Sequence, residues 1–217
     1  MDFTVARHNM VESQVRTNRV TDTRLLEALD TVPREAFVPD ACKSTAYRDD
    51  NVEIASGRYL LGPMVFARLI QEAQIRANEV ILDVGCGTGY SSAILARLAS
   101  TVVALESDKG LAARAAALLA EQGVDNVAVV EGPLPEGDKA HGPYDVIVVE
   151  GAVAESPEAL TAQLAERGRL LAITQRPGGV AEAVLMLRIG NSFSTRTLFE
   201  AQAAILPGFA RRPGFVF

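Results

Sequence analysis

The chain has 217 residues, 48% of them hydrophobic, enough to bury a sizeable core in a single α/β domain spanning 1–217, with 1–78 as an N-terminal extension and 79–217 as a sheet. Its 27 acidic and 21 basic residues give a formal charge of −6, which argues against a nucleic-acid or anionic membrane surface, because phosphate binding relies on net positive charge. Cys42 and Cys86 are too few for a disulfide framework and read as free thiols, and His8 and His141 lie far apart without a cysteine pair nearby, so no metal site is expected.

The first 30 residues mix Arg7, Glu12, Arg16 and Arg19 into a polar pattern without the apolar run of a secretory signal, and no segment reaches 18 consecutive apolar residues. A cytoplasmic protein is the expectation. Thr21-Asp22 caps a segment in which Leu25, Leu26, Leu29 and Val32 recur at helical spacing before Pro33. From Pro39 to Gly62 no period emerges, which predicts a long loop or short strands. Pro63 starts a second amphipathic helix through Phe66, Leu69, Ile70 and Ala73.

Strands are then predicted near 80–84, 101–105, 127–130, 144–149 and 168–173, with helices near 90–99, 109–122 and 157–166 between them, the last capped by Ser156 with Pro157 at its first position. Such alternation means a mostly parallel sheet covered by helices on both faces. Val180 to Ile189 and Phe193 to Ile205 flank Gly190-Asn191-Ser192 as a hairpin, so the sheet is expected to end in an antiparallel pair. The tail from Phe209 to Phe217, with Arg211 and Arg212, is expected to dock on a nearby helix.

The run Val80 to Tyr90 carries a buried-strand pattern into Gly85, Gly87 and Gly89, which let the backbone turn sharply and approach a ligand closely. Glu106, 21 positions after Gly85, falls at the end of the next strand, where a carboxylate can accept from both hydroxyls of a ribose. The dinucleotide fingerprint needs its third glycine at position 90, where Tyr90 stands, so NAD is the weaker reading.

The spacing Asp-x-Gly-x-Gly-x-Gly from Asp83 to Gly89 resembles the first motif of the class I methyltransferases that use S-adenosylmethionine. The N-terminal third is similar to the protein-L-isoaspartate O-methyltransferase family in Met10-Val11-Glu12-x-Gln14-Val15-Arg16, Thr21-Asp22, Val32-Pro33-Arg34-x-x-Phe37-Val38-Pro39, Ala46-Tyr47 and Asp49. Tyr144-Asp145 and Gly168-Arg169-Leu170 extend the resemblance over roughly 7–175. It implies a Rossmann-like fold with a seven-stranded sheet, methylation of the carboxylate of isoaspartyl residues in damaged protein, and S-adenosylhomocysteine as product. It also implies that Asp83 faces the methionine ammonium and that Cys86, Tyr90, Ser107, Gly132, Pro133, Leu134 and Glu150 complete the cofactor contacts.

Two positions depart from the family's pattern. Where members carry a glycine-glutamine-threonine-isoleucine-serine segment, with the serine hydroxyl near the reacting carboxylate, this chain has Gly57-Arg58-Tyr59-Leu60-Leu61, and Leu61 offers no hydrogen bond. Arg58 and Tyr59 are the candidates to replace the serine, by a two-bond grip and a phenol donor respectively, against the plain reading of both as surface residues. Where members have glycine-aspartate-glycine, with the aspartate on the adenine amine, this chain has Gly132-Pro133-Leu134, and Glu131 either compensates or is a solvated strand-end carboxylate. A carboxylate at Glu150 is expected to repel an acidic acceptor. The alternatives to isoaspartyl methylation are a methyltransferase with a small-molecule or other side-chain acceptor, and a non-catalytic cofactor-binding module.

Overall fold

The computed structural model describes residues 2–175 and 178–211. Seven strands form one sheet: β3 (Val80–Val84), β4 (Thr101–Glu106), β5 (Val127–Glu131), β6 (Tyr144–Val153), β7 (Leu164–Thr174), β8 (Glu182–Ile189) and β9 (Ser192–Glu200). They lie in the order β5-β4-β3-β6-β7-β8-β9. The first five are parallel, and β8 pairs antiparallel with both β7 and β9. After β3 the chain builds outward through β4 and β5, then returns to the other side of β3 to lay down β6. The crevice beyond the carboxyl ends of β3 and β6 is therefore the topological switch point, where open α/β sheets bind ligands.

Helices α4 (Tyr90–Leu95) and α5 (Lys109–Glu121) cross between the first strands, while α1 (Phe3–Met10), α2 (Thr23–Thr31) and α3 (Pro63–Ala73) cap one face. Asp22 caps α2 through Oδ1, accepting from the backbone of Arg24 at 2.9 Å and Leu25 at 3.3 Å, as expected for aspartate at this position. Leu25, Leu26 and Leu29 are buried on its inner side, each contributing about 1.5–3 kcal/mol of apolar burial. Residue parity divides the core: Ile81, Val102, Val146 and Val148 pack with this helical cap, whereas Leu82, Val84, Val103, Leu105, Ile147 and Val149 face the other way.

The stretch 39–62 resolves into a 3₁₀ segment, Asp40–Thr45, and an antiparallel ribbon of β1 (Val52–Ala55) and β2 (Arg58–Leu60) turning at Gly57, whose φ is 71°. Residues 3–18, read only as polar, are helical throughout. Two predicted helices shrink. Residues 96–100 leave α4 through i→i−3 bonds such as Arg97 to Ile94, and α6 is a single turn, Glu158–Thr161. At the latter, Ser156 makes no side-chain cap and Leu164 already begins β7, because Leu164 pairs with Tyr144 of β6. Beyond Glu200 the chain leaves the sheet and returns to β6, where Ala154 N donates to Phe209 O at 3.1 Å. Phe209 is buried in a cluster that includes Val153 of β6 and Leu160 of α6, and Arg211 meets Glu155 at 3.4 Å on the surface. Arg212 to Phe217 lie outside the described residues.

Candidate active site

Parity brings three acids together. Asp83 shares a sheet face with Ile81, Glu106 with Val102, and Glu150 with Val146 and Val148, Asp83 and Glu106 at the carboxyl ends of β3 and β4 and Glu150 in the carboxyl-terminal half of the adjacent strand β6. Asp83 is fully buried, and its Oδ2 accepts from Ser91 Oγ at 2.7 Å and Ser92 Oγ at 2.6 Å, two hydroxyls supplied by the start of α4. Its Oδ1 has no partner among the described residues. Burial pushes this carboxyl up to about 6 against the pull of both serines.

Glu106 is also fully buried but held ionised. Burial alone would raise it; the guanidinium of Arg58 and the backbone donors of Asp108 and Gly87 outweigh that and lower it. Arg58 Nη1 donates to Oε1 at 2.5 Å and Nη2 to Oε2 at 2.6 Å, a bidentate grip. The backbone N–H groups of Ser107 at 2.7 Å, Asp108 at 2.9 Å and Gly87 at 2.9 Å complete the shell. Arg58 is only 5% exposed, so the reading of a surface arginine is overturned. The reason is that β2 points it inward onto the one carboxylate placed to receive it.

The glycine turn is covered by the chain itself. Gly85, Gly87 and Gly89 all have positive φ, between 58° and 93°. A Cβ on Gly87 would lie 2.5 Å from Ile54 Cδ1 of β1, and one on Gly85 would lie 3.0 Å from Leu206 Cδ1 and 3.5 Å from Arg58 Nη2. Cys86, between them, is buried, and burial pushes its thiol well above the usual range. Gly132 follows β5 and donates to Glu106 O at 3.0 Å. Pro133 and Glu131 are exposed, while Leu134 is buried. Glu131 therefore takes the solvated reading.

On the acceptor side, Leu61 is 3% exposed and its carbonyl accepts from Arg34 Nη2 at 2.8 Å. Arg34, itself buried, also donates to Ala46 O at 2.7 Å and lies 4.8 Å over the ring of Tyr90. Tyr59 is half-buried. Glu150 lies inside β6, which runs on to Val153, rather than at a strand end. Burial and the Asp83 charge drive its carboxyl well above the ordinary range against Arg34, favouring the neutral form. Asp83 Oδ1, Glu150 Oε1 and Tyr90 Oη are three of the five buried side-chain polar atoms without a partner among the described residues. Unsatisfied polar groups of this kind call for an explanation, and those of Asp83 and Glu150 lie on neighbouring strands at the switch point.

Arg34, Ser91, Ser92, Ile54 and Leu206 were not predicted as site residues. Ser91-Ser92 directly after the glycine turn was a readable signal, whereas Ile54 and Leu206 arrive from distant segments.

The family model for protein-L-isoaspartate(D-aspartate) O-methyltransferase matches residues 6–197. The chain belongs to this family. A protein-L-isoaspartate O-methyltransferase of Roseiflexus castenholzii is 35% identical over 211 residues, covering 96% of this chain and 94% of its own. One from Methylorubrum extorquens is 38% identical over 195 residues, 90% of this chain and 85% of its own. A solved protein-L-isoaspartate O-methyltransferase superposes with a TM-score of 0.82 at 24% identity, over 93% of this chain and 66% of that one. A second, from Plasmodium falciparum in complex with S-adenosyl-L-homocysteine, gives 0.78 at 20%, over 92% and 97%. The isoaspartate O-methyltransferase family uses S-adenosylmethionine, so the chemistry of this chain is S-adenosylmethionine-dependent O-methyl transfer, and the Rossmann-like methyltransferase fold stands.

Proposed function

We propose that this enzyme methylates the side-chain carboxylate of isoaspartyl residues in damaged protein, binding S-adenosylmethionine on the turn from Asp83 to Tyr90 and on Glu106. The supporting observation is the pair of dissimilar carboxylates at the switch point: Glu106, to which the backbone donors of Gly87, Ser107 and Asp108 point, suits ribose hydroxyls once Arg58 gives up its two oxygens, and Asp83, with an unpartnered Oδ1, suits an ammonium. The residue types therefore fit the cofactor. Ser107, Gly132, Pro133 and Leu134 lie beside Glu106, and Pro133, having no side-chain donor or acceptor, leaves adenine to backbone and apolar contacts.

The cofactor supplies an electrophilic methyl group, and the acceptor oxygen displaces its sulfur to give a methyl ester and S-adenosylhomocysteine. No general base is required, since a carboxylate with a reference pKa near 3.9 is ionised at neutral pH. The chain's task is orientation, which can lower the barrier by up to roughly 7–11 kcal/mol. Arg34 fixes the backbone at Leu61, the position where members carry the serine.

Leu61 favours a second reading, the same transfer to a small molecule or another side chain, because an apolar buried group stands where members have a hydroxyl. Product chemistry tests the first reading. Carboxyl methyl esters release methanol in mild base, whereas methyl ethers and methylamines do not. Base-stable label on the acceptor would overturn carboxylate methylation.

A further inference from the structure

The cofactor site in this structure is occupied by the chain's own β1–β2 ribbon. The Arg58 guanidinium saturates both oxygens of Glu106 at 2.5 and 2.6 Å and donates to Gly85 O at 3.2 Å, and Ile54 Cδ1 lies against the bare face of Gly87. A ribose hydroxyl bound to Glu106 and a ligand on the glycine turn need the same space and the same lone pairs. The two occupants exclude each other.

We propose that Arg58 is a partner-switching latch: it closes the cofactor site by pairing with Glu106, yields Glu106 to the ribose when the ribbon lifts, and in the lifted state takes the carboxylate of the acceptor. The proposal rests on the carboxylate-methylation reading above. Three observations support the second half. Lifting strips a buried cation of its carboxylate partner. Leu61, immediately after β2, offers that acceptor no hydrogen bond. Arg58 is the cationic side chain of β2, three residues before Leu61, with a geometry suited to a carboxylate.

Ligand binding to a protein that must first open is weakened by the fraction that is open. Anything that takes Arg58 away from Glu106 raises that fraction, so an acidic acceptor and the cofactor bind with positive and reciprocal coupling. Ile54 contributes the apolar half of the closure and carries no charge, which makes it an independent handle.

The test is titration calorimetry of S-adenosylhomocysteine into the wild-type chain, Arg58→Gln and Ile54→Ala, each with and without a saturating isoaspartyl peptide. Amide hydrogen exchange over residues 52–60 is followed in the wild type. Arg58→Gln should bind the product at least about tenfold more tightly than wild type, and Ile54→Ala several-fold more tightly. The peptide should tighten wild-type binding about fivefold or more and leave Arg58→Gln unchanged, and product should speed exchange in the ribbon. Binding by Arg58→Gln and Ile54→Ala no tighter than wild type overturns the latch while leaving the cofactor reading intact. Equal coupling in wild type and Arg58→Gln overturns the switch to the acceptor. No binding by any of the three proteins overturns the cofactor reading itself.

Discussion

Arg34 Nη2 donates to the carbonyl of Leu61 at 2.8 Å, so a buried guanidinium from the N-terminal cap fixes the residue that stands where the family carries serine. The same side chain holds Ala46 O at 2.7 Å and tops the ring of Tyr90. One residue thereby ties the cap, the ribbon's exit and the start of α4 together. Replacing Arg34 by Ala leaves two buried carbonyls without donors and should cost about 3 kcal/mol in denaturant unfolding. Arg34→Lys should recover only part, because an ammonium cannot reproduce the planar fork.

Asp83 gives a pH signature whose sign is fixed by burial. Its folded pKa, about 6, lies above the ordinary 3.8, so between those values the unfolded chain has lost a proton that the folded chain retains. Stability is thus lost as pH rises from about 4 to 6. Asp83→Asn lacks this penalty. Its stability relative to wild type should grow by roughly 2–3 kcal/mol between about pH 4.5 and 7.5, read by urea unfolding at both ends.

The ribose role of Glu106 must be measured apart from its pairing with Arg58. In an Arg58→Ala background, adding Glu106→Ala should weaken S-adenosylhomocysteine binding about tenfold or more, since bonds to a charged acceptor are worth roughly 1.5–3 kcal/mol. An unchanged affinity would remove Glu106 from the cofactor site.

At the opposite end of the sheet, Arg169 grips Glu79 at 2.7 and 2.8 Å and donates to the carbonyls of Ala73 and Gln74, joining β7 to the exit of α3. Burial would raise Glu79, but Arg169 and the Arg76 backbone bond lower it. A depressed carboxylate contributes stability that is present at neutral pH and lost as pH falls through its folded pKa. Arg169→Ala should therefore cost about 3 kcal/mol near pH 7 and less below about pH 4, measured by thermal unfolding across that range.

Leu61→Ser restores a hydroxyl at the family's position. It removes a buried side chain and should lower stability by about 2–4 kcal/mol. It should also raise the rate of methyl transfer to an isoaspartyl peptide by about tenfold, the worth of one bond to a charged oxygen.

The sheet was legible because parallel strands buried on both faces read as short apolar runs between amphipathic helices, and five of them fell within a few residues of their predicted places. The acids of the site were legible for the same reason: a side-chain period of two puts Asp83, Glu106 and Glu150 on one face once the strands are located. Glu158–Thr161 misled because a cap signal announces a helix start and not its length, which pairing of Leu164 with Tyr144 cut short. The helical residues 3–18 carry too weak an apolar stripe to stand out.

The covering of the site was not legible. Arg58 lies 48 positions from Glu106, Ile54 lies 33 from Gly87 and Leu206 lies 121 from Gly85, and each reaches its partner only through tertiary folding. A charged residue on a short ribbon reads as surface until the carboxylate that buries it is located. The burial of Glu150 was hidden likewise, since it depends on how completely the cap covers β6.

Isoaspartyl methylation is tested most directly by incubating the purified protein with methyl-labelled S-adenosylmethionine and an isoaspartyl peptide, with the matching aspartyl peptide as control, and counting base-labile label. The account predicts label on the isoaspartyl peptide alone. Absence of label from a protein that binds S-adenosylhomocysteine, or equal label on both peptides, would contradict it.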